Sequence, residues 1–226
     1  MSSSHSESSA ARPEVAVITS RMFAINTYVV WLPGRSDCLI VDPGFDVQRI
    51  IQFLLDRRLT PAAILNTHGH IDHIHGNSTV KGQWPNCPIV IGAAEVEKLT
   101  DALQNLSALY GTPVVSPPAD RLVRHGEIID YAGINLLTLD TPGHSSGHVV
   151  FVWRGAHPWI VLGGDVLFEG SIGRTDFPDG DFEQLAEAIR TQLFTLPDDT
   201  IVLPGHGGRT TIGVERRTNP YVGNEA

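Results

Sequence analysis

The chain has 226 residues, a formal net charge of −9, and is 42% hydrophobic and 18% charged. That length and composition fit one domain, or two at most, with a sizeable core. The acidic balance argues against nucleic acid as a partner, and no run of about 18 apolar residues argues for a membrane span.

The serine-rich start lacks an apolar signal region, so residues 1–12 read as a disordered tail ahead of one domain over 13–226. Val15–Ser20 and Asn26–Leu32 read as strands, Pro33-Gly34 as a turn, and Cys38–Val41 as a short apolar strand ending in Asp42-Pro43-Gly44. Asp46 is in position to cap a helix in which Val47, Ile50, Ile51, Leu54 and Leu55 recur at helical spacing. Ala62–Asn66 is a buried strand, Asn77–Gln83 a short helix, Pro88–Ile91 a strand and Ala93–Thr100 a helix. Leu103, Leu106 and Leu109 have helical spacing up to Gly111, and 114–120 is a loop. Ile128–Tyr131 and Ile134–Asp140 form a hairpin about Ala132-Gly133. Val149–Trp153, Trp159–Leu162 and Thr200–Leu203 are strands. Asp181–Phe194 is the clearest helix, with Asp181 and Gln184 at capping-box spacing and Phe182, Leu185, Ile189 and Leu193 on one face. Strands mixed with helices point to sheets covered by helices. Cys38 and Cys87 belong to no CxxC pattern and read as reduced core residues of a cytoplasmic protein.

The chemistry is concentrated in Thr67-His68-Gly69-His70-Ile71-Asp72-His73, with His75 just beyond. Packed cores do not need clustered imidazoles, which are costly to bury unpaired. Neutral imidazole and ionised carboxylate are instead ordinary metal ligands. Three later strands each run into a glycine-containing turn and then a further candidate ligand: His144, Asp165 and His206. His68, His70, Asp72, His73, His144, Asp165 and His206 are too many donors for one tetrahedral ion, which uses about four. They suit two divalent ions if one carboxylate bridges. Zinc is expected, and iron or manganese also suits a His/Asp donor set without thiolate.

The order HGHIDH, TPGH, GGD and PGH resembles the metallo-β-lactamase superfamily, and the resemblance covers nearly the whole chain from Val15 onward. The blocks GGDVLFEGSIGRTDFPDGD and PGHGGRTTIGVERRTNP are similar to glyoxalase II-type hydrolases in their short, single-domain form. The resemblance implies an α/β fold, an αββα sandwich of two mixed β-sheets flanked by helices. It implies that His68, His70 and His144 hold one metal and Asp72, His73 and His206 the other, with Asp165 bridging. It further implies hydrolysis of a small acyl thioester of the S-lactoylglutathione kind by a metal-bound hydroxide, with Asp72 orienting the nucleophile.

Arg174 stands where such enzymes carry a basic residue that binds the glutathione moiety; its alternative is an ion pair with Asp176 or Asp179. The tyrosine found two residues on in the two-domain enzymes is Asp176 here, so catalysis carries over better than glutathione specificity. His75 stands where the family has a small residue and reads as a non-ligand, and His148 as a supporting or core residue. The competing readings are a persulfide dioxygenase-like enzyme with one iron and a lactonase or other ester hydrolase. Persulfide dioxygenases usually have alanine before the last motif histidine, whereas this chain has Gly205. The partner expected is a small-molecule thioester, with neither nucleic acid nor membrane.

Overall fold

The computed structural model describes residues 11–111 and 113–224, so the expected tail lies outside the described residues up to residue 10. The first sheet takes β1 (Glu14–Thr19), β2 (Asn26–Trp31), β3 (Asp37–Val41), β4 (Thr60–Asn66), β5 (Ile89–Gly92) and β6 (Arg121–Val123), side by side in that order. Its first pairings, β1 with β2 and β2 with β3, are antiparallel, and the remainder are parallel. Between these strands lie α1 (Val47–Arg57), α2 (Ile71–Ile74) and α3 (Asn77–Gln83). The second sheet begins with β7 (Ile128–Tyr131), β8 (Ile134–Asp140), β9 (Val149–Trp153) and β10 (Ile160–Gly164). A small hairpin of β11 (Leu167–Phe168) and β12 (Ser171–Ile172) follows, then α4 (Phe182–Ala188). The strands β13 (Ile201–Pro204) and β14 (Thr210–Thr211) complete the second sheet in the order β14-β13-β10-β9-β8-β7, and α5 (Ile212–Thr218) comes last. This sheet is also mixed, because β10 and β13 are parallel and the other pairs antiparallel.

Side chains alternate across a strand, so apolar runs without alternation imply sheets covered on both faces. Leu39 and Val41 of β3, and Val149, Phe151 and Trp153 of β9, point into a core between the sheets. Their neighbours Cys38 and Ile40 turn outward onto Val47, Ile50 and Leu54 of α1. Val150 and Val152 turn the other way onto Leu185, Ile189, Leu193 and Ile212. The result is helix, sheet, sheet, helix, as expected. Each fully buried aliphatic side chain stabilises such layers by roughly 1.5–3 kcal/mol.

Several local expectations change. The residue before α1 is Asp46, but its backbone is left-handed (φ 57°) and its side chain makes no cap. It accepts instead from the Arg21 amide at 2.7 Å and from the Ser20 hydroxyl at 3.3 Å, bracing the β1–β2 turn. Leu103 and Leu109, at 69% and 67% exposure, are not a core face, and only a short 3₁₀ turn, Ser107–Tyr110, forms there. Ala93–Leu99 is 3₁₀ rather than α. The helix from Asp181 keeps its expected cap, Asp181 accepting from the Gln184 amide at 3.0 Å, and continues as a π turn through Ile189–Leu193. Phe182 leaves its apolar face and is 42% exposed. Cys38 and Cys87 are unpaired and buried, and burial pushes both thiols up to about 12. No helix among the described residues is long and apolar enough to cross a membrane.

Candidate metal centre

The C-terminal ends of β3 and β4 in one sheet, and of β8, β10 and β13 in the other, meet at one edge of the sandwich. The Val149 amide donates to the Thr67 carbonyl at 2.8 Å, and the Asn26 amide to the Gly205 carbonyl at 2.7 Å, tying the two sheets together there. Residues just past those strand ends form three overlapping groups: His68, His70 and His144; His68, His73 and Asp165; Asp72, His73 and His206. Within each group the donor atoms lie within 4.8 Å of one another. All seven sequence-predicted ligands are therefore gathered in one place.

Asp165 sits between the two outer groups. Its Oδ1 faces His73 Nε2 at 3.4 Å, while its Oδ2 lies 3.7 Å from His144 Nε2 and 3.5 Å from His206 Nε2. One carboxylate therefore reaches both sets. Asp72 Oδ2 is 3.3 Å from His206 Nε2 and 3.8 Å from His73 Nε2. His70 Nδ1 and His144 Nε2 face each other at 3.0 Å. The buried atoms His68 Nε2, His73 Nε2 and Asp165 Oδ1 make no hydrogen bond. Orphaned buried polar atoms cost roughly 1–3 kcal/mol each. Three of them converging, all with metal-ligand chemistry, fit divalent ions.

The field at the site has two halves. Burial and neighbouring imidazoles push His68 well below its usual range; burial, then His144, brings His70 down to about 3. Burial also lowers His144. Neutral imidazoles are the form that binds metal. On the other side, burial opposes charge on His73, but Asp165, Asp72 and Asp42 around it raise its proton affinity well above normal. The same negative field favours a cation. Burial likewise pushes Asp165 upward, yet His73 and His144 hold it well below the carboxylate range.

A further set of side chains aims the ligands. Asp42 Oδ2 accepts from the Thr67 hydroxyl at 2.7 Å and from His73 Nδ1 at 3.0 Å. With its hydrogen committed to Asp42, the Thr67 hydroxyl accepts from His68 Nδ1 at 3.1 Å. One carboxylate thus fixes the tautomer of two histidines and leaves both Nε2 atoms free. His144 Nδ1 donates to the Arg174 carbonyl at 2.8 Å, freeing its Nε2 in the same way. His148 accepts from the Asp165 amide at Nε2 (3.1 Å) and meets the Thr141 hydroxyl through Nδ1 (2.8 Å). It is a buried support, outside the ligand groups. His75 packs on Phe45, with ring centroids 4.4 Å apart, and belongs to no ligand group.

Glycine is required at two of these turns. Gly164 has φ +50°, and a Cβ there would lie 2.3 Å from Thr67 Oγ1. A Cβ on Gly205 would lie 2.2 Å from Asp165 Oδ1 and 2.7 Å from His73 Cε1.

Sequence reasoning missed Glu95. It is fully buried, and its Oε2 accepts from the Gly69 amide at 2.8 Å. Its Oε1 takes the Gly147 amide (2.8 Å), the Ser145 hydroxyl (2.6 Å) and Lys98 Nζ (2.9 Å). Lys98 Nζ also bonds Ser145 and reaches Asp179 at 2.6 Å. This clamp joins the His68–His70 loop to the His144 loop. Asp42, at a strand end in an Asp-Pro-Gly turn, carried a readable signal; Glu95, inside an ordinary helical stretch, carried none.

A cavity of about 340 Å³ opens over the ligands, bordered by Asp72, His70, His144, Asp165, His206 and Arg174 among others. Arg174 forms a two-pronged ion pair with Asp176, at 2.6 and 2.7 Å, and its guanidinium lies 4.4 Å from the Phe177 ring centre.

Comparison with known proteins bears on the same features. The metallo-beta-lactamase superfamily model matches residues 21–206, a span that includes every predicted ligand. The probable metallo-hydrolase YqgX of Bacillus subtilis (strain 168) is 40% identical over 199 residues, covering 88% of this chain and 93% of its own. The hydroxyacylglutathione hydrolase GloC of Haemophilus influenzae is 35% identical over 94% of this chain and 99% of its own. The crystal structure of BLEG-1 B3 metallo-beta-lactamase superposes with a TM-score of 0.87 at 35% identity, over 92% of this chain and 99% of that one. With a helix-flanked pair of mixed sheets, candidate metal ligands delivered from both, and relatives matching over most of both chains, the chain belongs to the metallo-β-lactamase superfamily.

Proposed function

We propose that this metallo-hydrolase cleaves a small acyl thioester, using two divalent ions held at the edge of its two sheets. The observation that carries the reading is Asp165, whose oxygens divide between two ligand sets beneath an open cavity. The similarity to a hydroxyacylglutathione hydrolase over most of both chains supports the thioester. His68, His70 and His144 would hold one ion, and Asp72, His73 and His206 the other. When bound, the ions supply Lewis acidity toward a carbonyl oxygen and a nucleophilic water at neutral pH.

The chain's own residues do the rest. Asp42 and Thr67 engage the Nδ1 hydrogens of His73 and His68 and so direct both Nε2 atoms into the site, and the Arg174 carbonyl does the same for His144; at His73, where carboxylates raise proton affinity, a bound ion would take the place of the proton. Asp72 borders the cavity and orients the attacking water by accepting its hydrogen bond. His148 fixes the backbone of Asp165, so the carboxylate stays centred. A thiolate leaves readily, and no strong general acid is needed. Arg174, at the cavity wall, contacts the thiol carrier of the substrate.

Metal-loaded protein incubated with S-lactoyl and other short acyl thioesters is expected to release thiol and carboxylic acid in equal amounts, without oxygen uptake. No thiol release, or oxygen-dependent sulfite formation from a persulfide by protein holding one iron, contradicts the proposal.

A further inference from the structure

The cavity wall above the ligands is apolar, built from Phe23, Leu106, Tyr110, Phe168, Ile172 and Phe177. Two of these are presented at a backbone cost: Phe23 has φ 59° and Leu106 φ 69°, in the left-handed region that disfavours residues with a Cβ. Phe23 then meets Phe45 and Tyr110, each with ring centroids 5.5 Å away. Phe23 and Tyr110 remain 48% and 57% exposed, so a broad aromatic face borders the mouth of the cavity.

Arg174 is the one permanent cation among the described residues lining the cavity. Its Nε and Nη2 are held by Asp176, and one face of its guanidinium is stacked on Phe177. Arginine and aspartate together carry no net charge. An exposed pair of this kind is weak, but it sets a carboxylate beside the guanidinium, which disfavours a second carboxylate there. Glutathione in thioester linkage carries two carboxylates against one ammonium, a net negative charge, whereas this wall offers one guanidinium that is already paired with a carboxylate. The free N–H groups on Nη1 remain suited to a carbonyl or hydroxyl oxygen.

Resting on the thioester reading above, we propose that the thiol carrier is uncharged, lays an apolar or aromatic portion against Phe23 and Tyr110, and meets Arg174 through a neutral oxygen. Glutathione is then a poor carrier for this protein.

The test compares matched carriers at low ionic strength with metal-loaded protein. S-Lactoyl thioesters of glutathione and of N-acetylcysteamine, a neutral amide thiol, are assayed for turnover. Their non-hydrolysable S-benzyl thioethers are titrated by calorimetry. The neutral carrier is expected to have at least tenfold lower KM and Kd. Asp176→Asn unmasks Arg174 and is expected to tighten S-benzylglutathione severalfold, with the neutral thioether changed by less than twofold. Phe23→Ala is expected to weaken the neutral thioether roughly tenfold. Turnover of both thioesters with glutathione preferred, or Asp176→Asn moving neither thioether, overturns the neutral-carrier inference while leaving the thioesterase reading intact. Turnover of neither thioester overturns both.

Discussion

Replacing Glu95 with alanine tests whether the first ligand set depends on a clamp remote in sequence. The change removes the acceptor for four donors: the Gly69 and Gly147 amides, the Ser145 hydroxyl and Lys98 Nζ. Lys98 retains Asp179, so its charge is not wholly abandoned. Breaking one side of a buried ion pair costs about 3–5 kcal/mol. For a domain of this size each kcal/mol shifts Tm by roughly 2–4 °C, so a fall of about 10 °C is expected. The loops carrying His68, His70 and His144 lose their common tie, whereas Asp72, His73 and His206 keep theirs. Loss of a group supporting metal ligands typically costs about 10–100-fold in metal affinity. Calorimetric unfolding together with metal titration should therefore show lower stability and one weakened site, with the other within about threefold of wild type. A variant with unchanged Tm and two unchanged metal affinities would refute the clamp.

Three further outcomes follow from the same geometry. Asp165→Asn should weaken both ions together, because its oxygens face both ligand sets; elemental analysis showing loss of only one ion would remove the bridging role. Gly205→Ala should push the Asp165 carboxylate aside, since the added carbon would lie 2.2 Å from its Oδ1; overpacking of about 1–3 kcal/mol and reduced metal content are expected, and normal metal content would contradict this. Asp179 experiences burial that raises its carboxyl, but Lys98 and the Ser146 amide bring it down to about 2 from 3.8. A depressed carboxylate stabilises the fold fully above its unfolded value and loses that effect as pH falls through its folded value. In metal-free protein, Asp179→Asn should therefore cost on the order of 2 kcal/mol at pH 5 by urea unfolding, converging with wild type near pH 2. A constant difference across that window would rule out the linkage.

Much of this was legible in the sequence, because the candidate ligands sit just past the ends of apolar strands, three of them after a glycine turn. His144, Asp165 and His206 each follow such a strand and a glycine, and it was this shared context, together with the His68–His73 cluster, that marked them. Covered strands were equally plain in Val149–Trp153, where an unbroken apolar run leaves no solvent face. Readings failed where a distant partner decides. Asp46 has cap chemistry, but Arg21 and Ser20 recruit its carboxylate. Leu103 and Leu109 have helical spacing but remain mostly exposed, so no longer helix is stabilised there. Gly213 weakens the signal of Ile212–Thr218, which forms because Thr211 caps it and Ile212 is buried. Arg174 was expected either to bind substrate or to pair with Asp176 or Asp179, and the structure shows the pair with Asp176.

The central claim is a two-ion centre bridged by Asp165. Its most direct test is the metal content per chain of protein saturated with a divalent ion and freed of excess. Two ions per chain are predicted, and a reproducible single ion, with Asp72 and His206 dispensable for its binding, would contradict the account.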